Sequence, residues 1–487
     1  MWTTIYLSDI SAPPLLDMIL AYAGDRLLRV YVDHPDINRG EKLWKFIDRI
    51  EELDFSYGTG RTFPFLSSLG PAPNLKLLKL RDEGQDSMGD NRHRLAQHLS
   101  KAFQGCLPSL RELHLAVVMT WPAGLFKDLR SLNLGSDARD IFDPILVLDV
   151  LRESPLLESI RLTGHCSHFD EEPPAVALPS LRNCTLTGFG AIFLIWYMDI
   201  PASANVSLDT PPSIGSGVHL ARDLSLAPCL HVLDQISTVS FYIGFDTIEF
   251  RVENDSGGSF NLEVYYYETL EDGLSIYFVL LKDFFRGCHP KSPSPKVFSL
   301  QIEQGASRDD LELVLCATIF LRSICETTSL ERMVLRGVPV KALTFHFEFL
   351  HVGLTTIPFP NLQQIQVETP PLHSPRLLLE RLDVLLKKRK NLGIPPRLVD
   401  MKVNCEEFIP MAEHSAFLTA WRDLVAEDVR VEYFRDSVDM SEDEDEDDDD
   451  GGEAGGAESG SCDSDWGSWA SGKWPKAASE TRGLTGM

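Results

Sequence analysis

At 487 residues the chain exceeds what one hydrophobic core usually serves, which leaves several domains or a quasi-one-dimensional array of units. A net charge of −27 excludes binding to bare nucleic acid by counterion release, which needs clustered Lys and Arg. The 9 cysteines form no C-x-x-C and follow no signal peptide, and apolar runs such as Ala191 to Met198 fall short of the ~20 residues of a membrane helix, so the reading is a cytoplasmic or nuclear protein with reduced thiols and no membrane segment.

Met1 to Leu7 is apolar and β-like, Pro14 to Leu20 is apolar at helical spacing, and Leu27 to Val32 reads as a strand, so residues 1–40 predict an N-terminal helix-strand unit. Glu41 to Ile50 predicts the helix of the next unit. From there to residue 435 one pattern keeps returning, P-x-L-x-x-[apolar]-x-[apolar]. It stands at Pro108/Leu110/Leu113/Leu115 and again at Pro73/Leu75/Leu78/Leu80, Pro155/Leu157/Ile160/Leu162, Pro179/Leu181/Cys184/Leu186 and Pro360/Leu362/Ile365/Val367. Copies without the proline sit at Ile50/Leu53/Phe55, Leu129/Leu132/Leu134, Ile236/Val239/Phe241, Val297/Leu300/Ile302, Leu330/Met333/Leu335 and Leu398/Met401/Val403. Proline fixes φ, lacks an N–H and ends a preceding helix; the alternating residues after it are the period-2 signature of a strand with one buried face.

The repeat weakens over 205–290, which predicts an irregular β-rich insert. Within it Thr247 to Val252 and Phe260 to Tyr265 alternate strictly around Asn254-Asp-Ser-Gly-Gly258 and predict a hairpin. Leu377 to Gly393 predicts a helix with a basic last turn, Lys387-Lys-Arg-Lys390, read as a solvated helix end rather than a nuclear-localisation patch. Phe417 to Phe434 predicts a closing cap. Residues 436–487 carry 16 acidic against 3 basic residues, net −13, around the run Ser441 to Asp450; with almost nothing to bury, this Gly/Ser/Trp tail predicts disorder, and Ser441 is a candidate for an acidophilic kinase.

Enzymatic constellations are absent from the sequence. There is no G-x-S-x-G elbow, no dinucleotide fingerprint and no Walker A, since Ser471-Gly-Lys473 lacks its earlier glycine and its Ser/Thr. Gly164-His165-Cys166-Ser-His168-Phe-Asp170 places metal-ligand types together, but no second cluster completes a zinc set, and the stretch reads as a loop. No enzyme, cofactor or metal is expected.

L-x-x-L-x-L is the heart of the leucine-rich repeat, and the chain resembles that family. The resemblance implies an α/β fold over 41–435: an irregular leucine-rich-repeat solenoid, a curved parallel sheet lined by helices. Val118, Asp137, His165 and Phe189 occupy the family's Asn/Cys position, so no asparagine ladder is expected. If Leu113 and Leu115 face inward, Glu112 and His114 face outward on the concave side, beside their counterparts Ser131 and Asn133, Ser159 and Arg161, Asn183 and Thr185, Gln364 and Gln366, Asp400 and Lys402. Such a mixed polar strip binds a protein through many modest contacts.

The opening Trp2-Thr-Thr-Ile-Tyr-Leu7, a helix, the strand Arg26-Leu-Leu-Arg-Val-Tyr31 and then irregular repeats resemble the region after the F-box in the fungal F-box/leucine-rich-repeat family. That resemblance implies the substrate-recognition arm of a ubiquitin-ligase adaptor, a monomer whose Skp-type partner would bind an F-box. The Leu-Pro-x-Glu start of an F-box is not in this sequence; it lies upstream or has been lost. An alternative is a protein similar to the acidic leucine-rich nuclear phosphoproteins, which would bind histones or other basic partners. An orphan scaffold is a further one.

Overall fold

In the computed structural model of the chain, the copies led by proline are entered through one recurring turn. Leu75, Leu110, Leu157, Leu181 and Leu362 each donate a backbone N–H to the carbonyl three residues back, at 3.0 to 3.2 Å. This places Pro73, Pro108, Pro155, Pro179 and Pro360 second in a β-turn, where a preset φ near −65° is wanted. The proline is therefore a turn residue; among these five sites a described α-helix ends just before it at Pro155, and a 3-10 helix, Ala102–Gly105, shortly before Pro108. Two consecutive N–H groups then bond one carbonyl of the preceding unit: Arg111 and Glu112 to Lys76, Arg130 and Ser131 to Arg111, Arg397 and Leu398 to Gln363, all between 2.7 and 3.0 Å. The strand follows in a fixed register.

The structure describes residues 4–7, 13–32, 44–57, 69–82, 98–99, 101–116, 124–135, 141–166, 173–188, 193–210, 230–245, 247–265, 295–303, 329–339, 341–343, 359–372, 375–405 and 410–434, all within the unit Met1–Asp436. The expected disordered tail, Ser441 included, lies outside them.

In chain order the elements are β1 (Thr4–Leu7), α1 (Pro13–Ala23), β2 (Leu28–Val32), β3 (Ile50–Tyr57), β4 (Leu77–Asp82), β5 (Glu112–Leu115), β6 (Ser131–Leu134), β7 (Ile141–Phe142), α2 (Pro144–Glu153), β8 (Ser159–Thr163) and β9 (His165–Cys166). After them come β10 (Val176–Ala177), β11 (Asn183–Thr187), β12 (Met198–Asp199), β13 (Asn205–Thr210), β14 (Ile236–Ile243), β15 (Thr247–Asn254), β16 (Ser259–Tyr265), β17 (Val297–Ile302), β18 (Arg332–Arg336), β19 (Gln364–Glu368), α3 (Arg376–Asn391), β20 (Leu398–Asn404), α4 (Met411–Arg422) and β21 (Asp428–Phe434). The fold is α/β, with a large, mostly parallel 17-stranded sheet and few helices among the described residues. Two small pairs stand apart, β7 with β9 and β10 with β12, so His165 and Cys166 lie on a short strand where a loop is expected. Of the helix expected over Glu41 to Ile50, the described part has Trp44 helical, a turn at 45–46 and a 3-10 turn at Ile47–Arg49, and Ile50 already opens β3. Ile47 and Ile50 are both buried, and three residues per turn put them on one side.

Reading the pairings across the sheet gives β1-β2-β3-β4-β5-β6-β8-β11-β13, then β16-β15-β14, then β17-β18-β19-β20-β21. The middle three strands run in reverse chain order, and β15 is the one antiparallel strand among the described residues. The expected hairpin is there as β15 and β16, and its strands are rungs of the common sheet. Asn254 fastens the reversal. Its side-chain amide donates to Ala202 O (2.7 Å) and Val232 O (3.0 Å), and its Oδ1 accepts from the backbone of Ser256 and Gly258 (3.0 Å each).

Two apolar rows run unbroken across the sheet. One passes through Ile5, Leu53, Leu113, Ile160, Val206, Phe260, Phe298 and Val399; the other through Phe55, Leu115, Leu162, Leu208, Leu262, Leu300 and Met401, all buried. At the reversal the rows are aromatic, with Phe241 and Phe250 4.7 Å apart and Phe250 and Phe260 6.3 Å apart between ring centroids. α2 starts with Asp143, whose side chain accepts from Ile145 N, and Pro144 in the first turn, the favoured order for a helix start. In α3 the basic run is partly structural: Arg389 is buried, its guanidinium donating to Phe359 O and Leu362 O at 3.0 Å, while Lys387 pairs with Asp383 and Lys390 reaches Asp423 O. Burial lowers the Arg389 pKa to about 10. The expected cap over Phe417 to Phe434 is another helix-strand unit, α4 with β21, and Trp421 is its anchor, wholly buried and donating to Asp383 Oδ1 at 3.2 Å. Among the described residues no helix is long and apolar enough to cross a membrane.

Candidate binding face

Because successive side chains of a strand point to opposite faces, the residue between the two buried rows is turned away from the core on every rung. Across the sheet these positions form one row in register: Tyr6, Tyr31, Asp54, Lys79, His114, Asn133, Arg161, Thr185, Ser207, Asn261, Arg251, Ser240, Ser299, Val334, Gln366, Asp400, Arg430. Val334 breaks its polarity, and it is buried.

The structure brings eight of the expected residues together. Glu112, Ser131, Ser159 and Asn183 line up as neighbours, and His114, Asn133, Arg161 and Thr185 form the adjacent line. The other four, on β19 and β20, lie seven and eight strands beyond β11, roughly 35 Å along the sheet at about 4.8 Å per strand. Their register is also different from the expected one. Gln364 and Gln366 keep their places, but Asp400 stands beside Gln366, in the row of His114, and Lys402 stands beside Glu368, one row further. Asp400 and Lys402 are thus displaced by two residues from the expected alignment with Glu112 and His114. β17 shows the same displacement: Phe298, not Leu300, pairs with Met333. A two-residue shift leaves every side chain on its own face, so the apolar pattern does not resist it.

The face changes character along the sheet. At the first strands Tyr6, 70% exposed, stacks on Tyr31 with centroids 4.8 Å apart and an interplanar angle of 14°. Arg29 pairs with Glu52 (3.3 Å), and Arg81 with the nearly buried Asp54 (2.8 Å). His114 is held below the ordinary histidine value, first by burial and then by the Lys79 cation, with Asp54 pulling the other way. In the middle, Ser259 Oγ donates to Asn205 Oδ1 (2.9 Å), and Asn205 reaches Asn183 Oδ1 (3.5 Å).

Beside that polar stretch Asp209, Glu263 and Glu249 stand next to one another on β13, β16 and β15. The Asp209 carboxyl is pushed up by burial and then by Glu263, with Arg161 offsetting part of it. Tyr265 donates to Glu263 (2.9 Å) and Tyr242 to Glu303 (2.7 Å). Towards the end Arg332 donates to Gln366 (3.2 Å) and Arg336 faces Glu368 (3.6 Å).

Tyr6, Tyr31, Asp54, Lys79 and Arg251 belong to this face and were missed by sequence reasoning. Extending the Leu113/Leu115 comparison to the first strands, and to the second strand of the hairpin, would have found them. Among the described residues no group of three or more His, Cys, Asp or Glu could hold a metal ion. What the face offers is a field of amides, hydroxyls and ion pairs, suited to many simultaneous polar contacts. No protein-family model matches the chain, and no curated protein matches it.

Proposed function

We propose that this is a non-catalytic protein-binding chain, built as an irregular leucine-rich-repeat solenoid, whose polar strand face receives a protein partner. The observation that carries the reading is the row of side chains between the two buried ones, in register over all 17 strands and lined by tyrosines, arginines and amides. Tyr and Arg are the residues that most often carry interface energy. The likeness to F-box/leucine-rich-repeat proteins supports a narrower role, the substrate-recognition arm of a ubiquitin-ligase adaptor.

The test is comparative capture from cell extract with the wild-type chain, with His114→Glu plus Arg161→Glu on the polar face, and with Ile145→Lys at an exposed position of α2. Partners lost with the polar-face variant and kept with the helix variant support the reading; partners unaffected by the polar-face charges overturn it. The adaptor role is tested separately, by recovery of a Skp-type protein with a chain extended through its upstream reading frame; an in-frame stop immediately upstream removes it. A second reading, a basic partner such as a histone, is favoured by the adjacent Asp209, Glu263 and Glu249. Binding lost on Glu249→Lys and unaffected by His114→Glu plus Arg161→Glu selects it.

A further inference from the structure

We propose that β21 is an interface between two copies of this chain, joined antiparallel about Val431. The sequence reading expects a monomer; the last strand points the other way. Among the described residues β21 pairs with β20 alone and is seven residues long, and a long strand with one unpaired side is a template for another strand. Asp428 N donates to Arg397 O and Phe434 O accepts from Cys405 N, so the even-numbered residues direct their backbone groups at β20. The N–H and C=O of Val429, Val431 and Tyr433 therefore point outward.

These backbone directions restrict how a second β21 can dock. An antiparallel partner must place its own outward-pointing residues opposite these three, so that each such pair exchanges both N–H···O bonds. Apolar residues then stay on the core face, extending the rows of Val399 and Met401, and Val429, Val431 and Tyr433 are half-buried at present. Centring on Val429 or Tyr433 overlaps only three residues of each β21, and charge chooses among the longer registers that remain. Centring on Arg430 opposes two arginines, and centring on Glu432 opposes two glutamates. Centring on Val431 sets Arg430 against Glu432 of the second copy, twice, on the solvent face, and Val429 against Tyr433 on the core face. Opposite charges directly across antiparallel strands stabilise, and like charges destabilise. Arg430 already holds Asp428 through Nε at 2.8 Å, which leaves its other guanidinium donors for the second copy. The opposite edge, β1, offers four residues and no charged side chain, so nothing there selects a register.

The experiment is sedimentation velocity on the full chain over a wide concentration range, with R430E, E432R, their equimolar mixture and V431P. The wild type is expected to dimerise reversibly. Each charge variant opposes like charges on both sides of Val431 and is expected to weaken association at least tenfold. Mixing them restores it, because the acid introduced by R430E then faces the base introduced by E432R. V431P removes an N–H that β20 does not use, so it is expected to keep the far-UV signature of the fold and to be monomeric. A wild type monomeric at every concentration, a dimer indifferent to V431P, or a mixture no tighter than its components overturns the proposal.

Discussion

Replacing Asn254 by Ala tests the order of strands across the sheet. The side chain is 5% exposed and makes four hydrogen bonds: two given, to Ala202 and Val232, and two received, from Ser256 and Gly258. These tie the β15–β16 turn to the segment before β13 and to the turn before β14. At a net of about 1 kcal/mol each the bonds sum to about 4 kcal/mol, and rehydration of the exposed Ser256 amide brings the expected loss to about 3 kcal/mol. Domains are stable by about 5–15 kcal/mol, so the change is measurable by urea denaturation. Hydrogen exchange should place the new openings in residues 236–265. Asn205→Ala is the control, an exposed asparagine on the same sheet, expected to cost under about 1 kcal/mol. Equal midpoints for the two variants, or exchange that rises evenly over the chain, would refute the claim that Asn254 holds the reversal.

Gly135 has φ +87°, and a Cβ there would come 1.9 Å from Thr163 O, so Gly135→Ala should cost about 3 kcal/mol or more in thermal unfolding; Gly24, at φ +55° with nothing within 4 Å, should cost only about 1. His114 should titrate below its ordinary value by NMR, rising towards it in Lys79→Met and falling further in Asp54→Asn. Because the folded state favours the neutral ring, stability should decline as pH falls below about 6.5, and His114→Gln should remove that slope; titration at or above the ordinary value sinks the argument. Burial pushes the Cys184 thiol up to about 12, so native alkylation should spare it while labelling the exposed Cys106, and equal rates would contradict its placement.

Most rungs were legible because their chemistry is local. A proline two residues before a buried leucine and an alternating pair after it specify turn, strand and inward face together, and β4, β5, β8, β11 and β19 fall where the pattern puts them. β5 and β6 have only two alternating apolar residues, so only one register buries both. β17 has three, Phe298, Leu300 and Ile302, and β20 has Val399, Met401 and Val403. Either pair of each triplet fits the pattern. What settles β20 is the pair of backbone bonds from Arg397 and Leu398 to Gln363 O, which depends on the preceding unit and is not written in the strand itself.

The electrostatics of the candidate face depend on the same non-local information. Strict alternation and the Asn254-to-Gly258 turn reveal a hairpin, yet not that the chain passes over two strand positions before laying it down. Had β14 followed β13 in space, Asp209 would sit beside Tyr242, the residue of β14 at that level of the ladder. The reversal sets β16 there instead, bringing Glu263 against Asp209 with Glu249 one strand beyond. At that level burial first and Glu263 second raise the Asp209 pKa, and the three carboxylates concentrate negative potential at mid-sheet, whereas the first strands set Asp54 among the cations Lys79 and Arg81. A partner's charge preference on this face would therefore be written by topology as much as by composition. A chain with the same strands in sequential order would present a different surface from the same residues.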